Sequence, residues 1–290
     1  MSAAHFQTEG EIEPPPIPTT PKFGAGTPDE AYSPEQARRR REYSVWDPRS
    51  APGTYLLLAI NIAVYLWMVT HGVSPKDPTE NDLLRYGANV TWLVLHGQWY
   101  RLLTATFVHV GLIHLATNMW CLWNLGMLGE PLVGPYGMVA VYLITGIAGN
   151  LLSMGYNVYY DLLFHDPSSL FQVGAGASGA VFGIAGILIV LLSNRQLPFP
   201  WEELRRLRSS VVKFALINLV IGLSTIFVNV GIRIDNSAHI GGFLSGLALG
   251  VPLVPRMTAG RERYLSRQKV TFAAACLILA LIGYAIASRV

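Results

Sequence analysis

Four polar side chains stand in otherwise apolar surroundings at positions that could do chemistry: Ser178, His239, His114 and Asn118. Ser178 sits in Val173-Gly-Ala-Gly-Ala-Ser-Gly-Ala-Val-Phe-Gly-Ile-Ala-Gly186, where a glycine-rich loop turns into an apolar helix predicted to run to about Leu192. Gly176 and Gly179 flank the serine, so a second backbone could approach it with no Cβ in the way. A helix start leaves backbone N–H groups without partners, and these can hold a developing oxyanion. The chemistry that fits is attack by an activated serine hydroxyl. Taken alone, a plainer reading is stronger: Gly179 and Gly183 at i,i+4 are ordinary membrane-helix packing, and a serine there is merely small. The soluble-hydrolase elbow Gly-x-Ser-x-Gly does not fit, because position 180 is alanine.

The serine therefore needs partners elsewhere. His239 opens an apolar run, Asn236-Ser-Ala-His-Ile-Gly-Gly-Phe-Leu-Ser-Gly246. His114 and Asn118 are four apart and share a helix face. Side chains of this kind are expensive in hydrocarbon, so they face protein or water. Interhelical hydrogen bonding is the bland alternative for His114 and Asn118. A metal reading is weak: His109 and His114 are five apart, off one face, and no HExxH accompanies them. Gly242 and Gly246 give the His239 helix a flat face that matches Gly179 and Gly183. Packing those faces together would bring His239 towards Ser178.

The elements that must position these residues are membrane helices. Hydrophobic residues make up 51% of the 290 and charged ones 13%, which points to an all-α polytopic membrane protein. Seven apolar runs near the ~20 residues of a span cover roughly 54–71, 111–129, 136–154, 176–193, 211–230, 237–254 and 270–287. Residues 1–50 are polar and proline-rich, and they are predicted to be a disordered tail without a cleavable signal peptide. Their Arg38-Arg39-Arg40-Arg41 run reads as a topology anchor rather than a nucleic-acid arm. The chain divides into this tail, a core over 51–254, and a basic loop with a seventh helix over 255–290. Cys121 and Cys276 read as small buried hydrophobes with no disulfide framework.

Lysines and arginines number six in the tail, five in 194–213 and five in 255–269, against five in the alternate connections. The positive-inside rule then places the N-terminus in the cytoplasm and the C-terminus outside. On that topology His114, Asn118, Ser178 and His239 each lie in the first two turns of a helix entering from the external side. Packing residues would have no reason to agree in depth, and the balance tips towards a site. The stretch 90–101, with Trp92, Trp99 and Tyr100, reads as interfacial. Glu130 lies at the opposite end and reads as structural, and Gly146, Gly149 and Asn150 read as tight packing. No Asp or Glu is expected near the external end of a relevant helix.

Together Gly176-Ala-Ser-Gly179, Ala238-His-Ile-Gly-Gly242 with Gly246, and His114-x-x-x-Asn118 resemble the rhomboid intramembrane serine proteases. Gly126-x-x-x-Glu130-x-x-x-Gly134 resembles the family's second-helix ending, and Tyr100-Arg101 its loop motif, with Tyr where Trp is frequent. The resemblance covers about 52–254 and implies a six-helix core with an added C-terminal helix. It implies Ser178 as nucleophile, His239 as general base, and an oxyanion hole of the Ser178 N–H with His114 and Asn118. Preorganised donors of this kind contribute about 3 kcal/mol each. It also implies that Phe182 stacks on the histidine, and that Gly176, Gly179 and Gly242 support the arrangement. No cofactor or metal is implied, and the partners are the bilayer and single-pass transmembrane substrates, cut near the external face. The expected location is the plasma membrane. Two other classes stand against this reading. A silent relative acting as binder or chaperone would be expected to lack the serine or histidine. A transporter would want inverted repeats and midplane charges.

Overall fold

The computed structural model describes residues 48–197, 199–227, 235–254 and 260–289. The tail up to residue 47, Arg233 and Arg256 lie outside the described residues. The helices are α1 (Pro52–Thr70), α2 (Glu80–Arg85), α3 (Thr91–Leu95), α4 (Arg101–Thr104), α5 (Leu112–Phe164), α6 (Ser178–Leu191), α7 (Trp201–Phe227), α8 (Asn236–Leu253) and α9 (Arg261–Ala287). Two-residue strands β1 (Asn89–Val90) and β2 (Val173–Gly174) pair antiparallel. Each of the seven apolar runs overlaps a helix among the described residues, and residues 228–230 of the fifth run lie outside them. Among the described residues α1, α5 and α9 are long and apolar enough to cross a membrane, and the chain is an integral membrane protein.

The 53 residues of α5 are two spans joined end to end. The junction is Gly134, whose φ of 76° and ψ of 166° are non-helical, between Pro131 and Pro135. Both prolines remove a helix donor, and a glycine accepts the positive φ that other residues avoid. The second half of α5 runs to Phe164, ten residues past the predicted end at 154, so most of the expected loop 155–173 is helix. Its extension is held from the side: Asn157 donates to Thr91 Oγ at 3.0 Å, and Ser169 Oγ donates to the Asn157 carbonyl at 2.9 Å. Helix α7 likewise begins ten residues before the predicted 211, so the cations of 205–213 are helical.

Helix α6 is apolar on every side and is the bundle's centre, packed along α8 and both halves of α5. Lipid gives little hydrophobic drive for helices to associate, so contact depends on small residues and polar ties. Glycines carry the closest approaches. A Cβ on Gly242 would run into the Gly179 carbonyl, and one on Gly246 into the Gly183 carbonyl. The two matching faces are thus in register. Polar ties lock the remaining helices. The buried Tyr142 hydroxyl is hydrogen-bonded to Asn61 of α1 and donates to the Thr106 carbonyl at 3.0 Å. The Glu130 carboxylate, 3% exposed, accepts from the Gly53 N–H at 2.8 Å and from the Thr54 N–H and hydroxyl, both at 2.6 Å. It thereby caps the start of α1, a role larger than holding a short turn.

Helix α9 begins nine residues before the predicted 270, and its polar first turns seat it. Gln268 donates to the Val133 carbonyl at 2.7 Å, Tyr264 is hydrogen-bonded to the Leu132 carbonyl at 3.2 Å, and Arg267 donates to the Val254 carbonyl at 2.7 Å. These carbonyls end two helices that cannot satisfy them internally. Cys276 lies on the exposed face of α9 and Cys121 is half-buried, so neither is the core residue expected.

Candidate active site

The connection between α1 and α5 forms a compact cap at the end of the bundle where α6 begins. Thr79 and Asp82 form a reciprocal capping box at the start of α2. The two hydrogen bonds from Thr79 hold the exposed Asp82 carboxyl below its usual range. Arg101 is buried, and its guanidinium donates to the carbonyls of Leu84 and Ala88 at 2.9 and 2.8 Å and to Gln98 at 2.7 Å. Arginine's fixed fork of donors thus closes the loop on itself. Trp92, Trp99 and Tyr100 remain on its exposed side. Asn150 of α5 donates to the Leu102 carbonyl at 2.9 Å, tying the cap to the bundle.

The cap fixes the strand leading to the serine. β1 pairs with β2, and the Gly176 N–H donates to the Ala105 carbonyl at 2.9 Å. Gly176 takes a φ of 136°, which strains any residue with a Cβ. There is also no room for one: an added Cβ would lie 2.6 Å from His114 Cε1 and 3.0 Å from its Nε2. Ala177 then precedes α6, and Ser178 is its first residue. The Ser178 N–H belongs to the first turn, whose donors have no partner within the helix.

Helix α8 brings in the histidine. Asp235 precedes it and accepts from the Ala238 N–H at 3.0 Å, the usual N-cap arrangement. The same carboxylate accepts from Ser153 of α5 at 2.5 Å. An acidic residue therefore does stand at the end of the helix that carries the histidine, contrary to the sequence expectation. Its oxygens are engaged by the cap and Ser153, so it sets the height of α8. The Ala238 carbonyl fits between two glycines: a Cβ added to Gly149 would lie 2.6 Å from its oxygen, and one added to Gly179 3.3 Å from it.

With both helices so placed, the Ser178 Oγ and His239 Nε2 are 2.8 Å apart. His239 is 6% exposed, and its Nδ1 is buried without a hydrogen-bond partner among the described residues. Phe182, one turn along α6 from the serine, stacks on the imidazole at 4.4 Å between centroids and 14° between planes. The ring is thus oriented by an aromatic face, with Ser178 on its other nitrogen. His114 lies across Gly176 from this pair. Asn118 is buried and donates to the His114 carbonyl at 3.0 Å, which holds the amide close to its own helix. His114 thus flanks the serine loop at Gly176, Asn118 is tied to its own helix, and Gly242 lies behind the serine turn against Gly179.

Sequence reasoning missed Asp235 and Ser153, and weighed His109 only as a weak metal ligand. Asp235 could have been read as an N-cap from its place just ahead of an apolar helical run. Ser153 has no sequence signal, because its partner is 82 residues away. His109 is fully buried, and its ring lies 5.4 Å from that of His114.

The family model for the rhomboid domain matches residues 96–256. Rhomboid protease GluP of Bacillus subtilis (strain 168) is 33% identical over 80% of this chain and 41% of its own length. Rhomboid protease AarA of Providencia stuartii is 33% identical over 69% of this chain and 72% of its own. Rhomboid-like protease 2 of Toxoplasma gondii is 30% identical over 71% of this chain and 69% of its own. The chain thus spans less than half of GluP and about 70% of the other two. The matched region holds His114, Asn118, Ser178 and His239, and the chain belongs to the rhomboid family.

Proposed function

We propose that this chain is an intramembrane serine endopeptidase in which Ser178 is the nucleophile and His239 the general base. The observation that carries the reading is the 2.8 Å approach of Ser178 Oγ to His239 Nε2, at a helix start. Names of relatives such as GluP and AarA support protease activity.

A neutral imidazole with its proton on Nδ1 offers the Nε2 lone pair to the serine. As Oγ attacks the scissile carbonyl carbon, its proton passes to Nε2, and the carbonyl oxygen takes the negative charge. The Ser178 N–H and the side chains of His114 and Asn118 are the donors for that oxyanion. The imidazolium then protonates the leaving amine as the C–N bond breaks, leaving an acyl-enzyme on Ser178. Water, deprotonated by His239, attacks the ester and restores the serine. Phe182 presents an apolar face to the ring, so orientation comes from stacking, and no carboxylate among the described residues is hydrogen-bonded to His239.

The substrates are single-pass transmembrane helices. Their carbonyls are locked in helical hydrogen bonds, so the cut segment must unwind, and small or helix-breaking residues favour it. The sixteen-to-five division of cations supports a cytoplasmic N-terminus. The dyad then lies towards the external face, in the plasma membrane. The reading is tested by reconstituting the protein with a single-span substrate: cleavage disappears in Ser178→Ala and in His239→Ala. Cleavage persisting in correctly folded Ser178→Ala would overturn it and favour a membrane-protein binder.

A further inference from the structure

His109 is a buried titratable group that the mechanism above does not use. It lies in the turn ahead of α5, and its Nδ1 is 3.1 Å from the Phe107 carbonyl oxygen. A carbonyl oxygen only accepts, so the neutral ring carries its proton on Nδ1 and leaves Nε2 as a bare acceptor. That Nε2 is buried and has no hydrogen-bond partner among the described residues. The Nδ1 of His114 is in the same condition. The two rings are neighbours, 5.4 Å between centroids and tilted by 54°.

Buried polar atoms are rarely left unpaired, and two orphans on adjacent rings are the setting in which one buried water is retained. His109 Nε2 can only accept, His114 Nδ1 accepts in one of its two neutral tautomers, and a water has two protons. In the arrangement that satisfies both as acceptors it donates one to His109 Nε2 and the other to His114 Nδ1. That arrangement fixes the state of His114. If its Nδ1 accepts, its single proton must sit on Nε2. That is the nitrogen turned to the serine loop, since a Cβ on Gly176 would lie 3.0 Å from Nε2 and 3.7 Å from Nδ1. The other tautomer would present a lone pair to the developing oxyanion and repel it.

We propose that His109 is a positioning residue. Anchored by the Phe107 carbonyl, it holds His114 through one bridging water in the Nε2–H tautomer that an oxyanion donor requires. The inference rests on the oxyanion role given to His114 above.

Nitrogen-15 NMR of the full chain in bilayers tests it. Histidine rings are labelled, and His114 is assigned by its loss in His114→Gln. In the wild type His114 should be protonated on Nε2, with Nδ1 accepting a hydrogen bond. His109→Phe keeps a ring and removes both nitrogens. It should leave His114 in a mixture of tautomers and lower turnover by roughly tenfold or more, towards the ~100-fold of a lost oxyanion donor, with KM unchanged. His109→Gln, which keeps a polar group near Nε2, should retain most of the Nε2–H form and most of the rate. A wild-type His114 carrying its proton on Nδ1 overturns the proposal, as does an unchanged tautomer in folded His109→Phe. If His109→Phe does not fold, the wild-type tautomer and His109→Gln still decide. The protease reading fails separately: it falls if Ser178 is dispensable, whatever the tautomer of His114.

Discussion

The contact between Gly242 and Gly179 sets how closely the candidate base approaches the candidate nucleophile, and one methyl group tests it. A Cβ at Gly242 would overlap the Gly179 carbonyl oxygen and lie 2.7 Å from its carbonyl carbon and 3.1 Å from its Cα, against an ordinary contact of 3.4–4 Å. All three atoms are backbone, so no side-chain rotation relieves the overlap. Helices α6 and α8 must part by about 1 Å, and overpacking of this kind costs about 1–3 kcal/mol. Gly179 follows Ser178 directly, and Gly242 is three residues beyond His239. The parting therefore falls on the 2.8 Å link itself. A misplacement of about 1 Å can cost ~100-fold in rate. Gly242→Ala should lower turnover by about that factor, and the branched Gly242→Val by more. Gly246→Ala meets the Gly183 carbonyl in the same way but one turn further from the dyad. It should cost similar stability and much less turnover. Initial rates on a fluorogenic transmembrane substrate in proteoliposomes, with Tm measured alongside, separate the two effects. A folded Gly242→Ala protein cleaving at the wild-type rate would refute the reasoning.

Three further outcomes are expected. Asn118→Ala should slow cleavage by about 100-fold without abolishing it, since Asn118 is proposed as one oxyanion donor of several; an unchanged initial rate would remove Asn118 from the proposed hole. Glu130→Ala leaves three donors at the start of α1 without their acceptor and should cost about 3 kcal/mol. Thermal unfolding in detergent should show a clear fall in Tm, and none would mean that the cap is dispensable. Reporter fusions within 194–200 should report the cytoplasm and those at the C-terminus the outside; the reverse pattern would invert the proposed topology.

What could be read from the sequence was what repeats locally. Glycines four apart on two runs fixed which faces of α6 and α8 would meet, and Gly242 on Gly179 and Gly246 on Gly183 are in that register. The run lengths marked where the apolar helices of the described residues lie, because apolar length is a property of one segment. Helix ends were less legible. α5 passes 154, α7 starts at Trp201 and α9 at Arg261, since polar turns outside the hydrocarbon carry no hydropathy signal. Pairings far apart in the chain were not legible at all. Ser153 meets Asp235 across 82 residues, and Gln268 reaches the Val133 carbonyl across 135. Neither side chain is unusual in its own neighbourhood. Asp235 shows the cost: expected to be absent from the helix end, it supplies the cap that fixes the height of His239.

The central claim is that Ser178 is made nucleophilic by His239. The direct measurement is covalent trapping: the reconstituted protein is treated with a fluorophosphonate, and the adduct is located by peptide mass spectrometry. The account predicts one adduct, on Ser178 Oγ, absent from Ser178→Ala and almost lost from His239→Ala although that variant keeps the hydroxyl. An adduct on another residue, or undiminished labelling of Ser178 in folded His239→Ala, would contradict it.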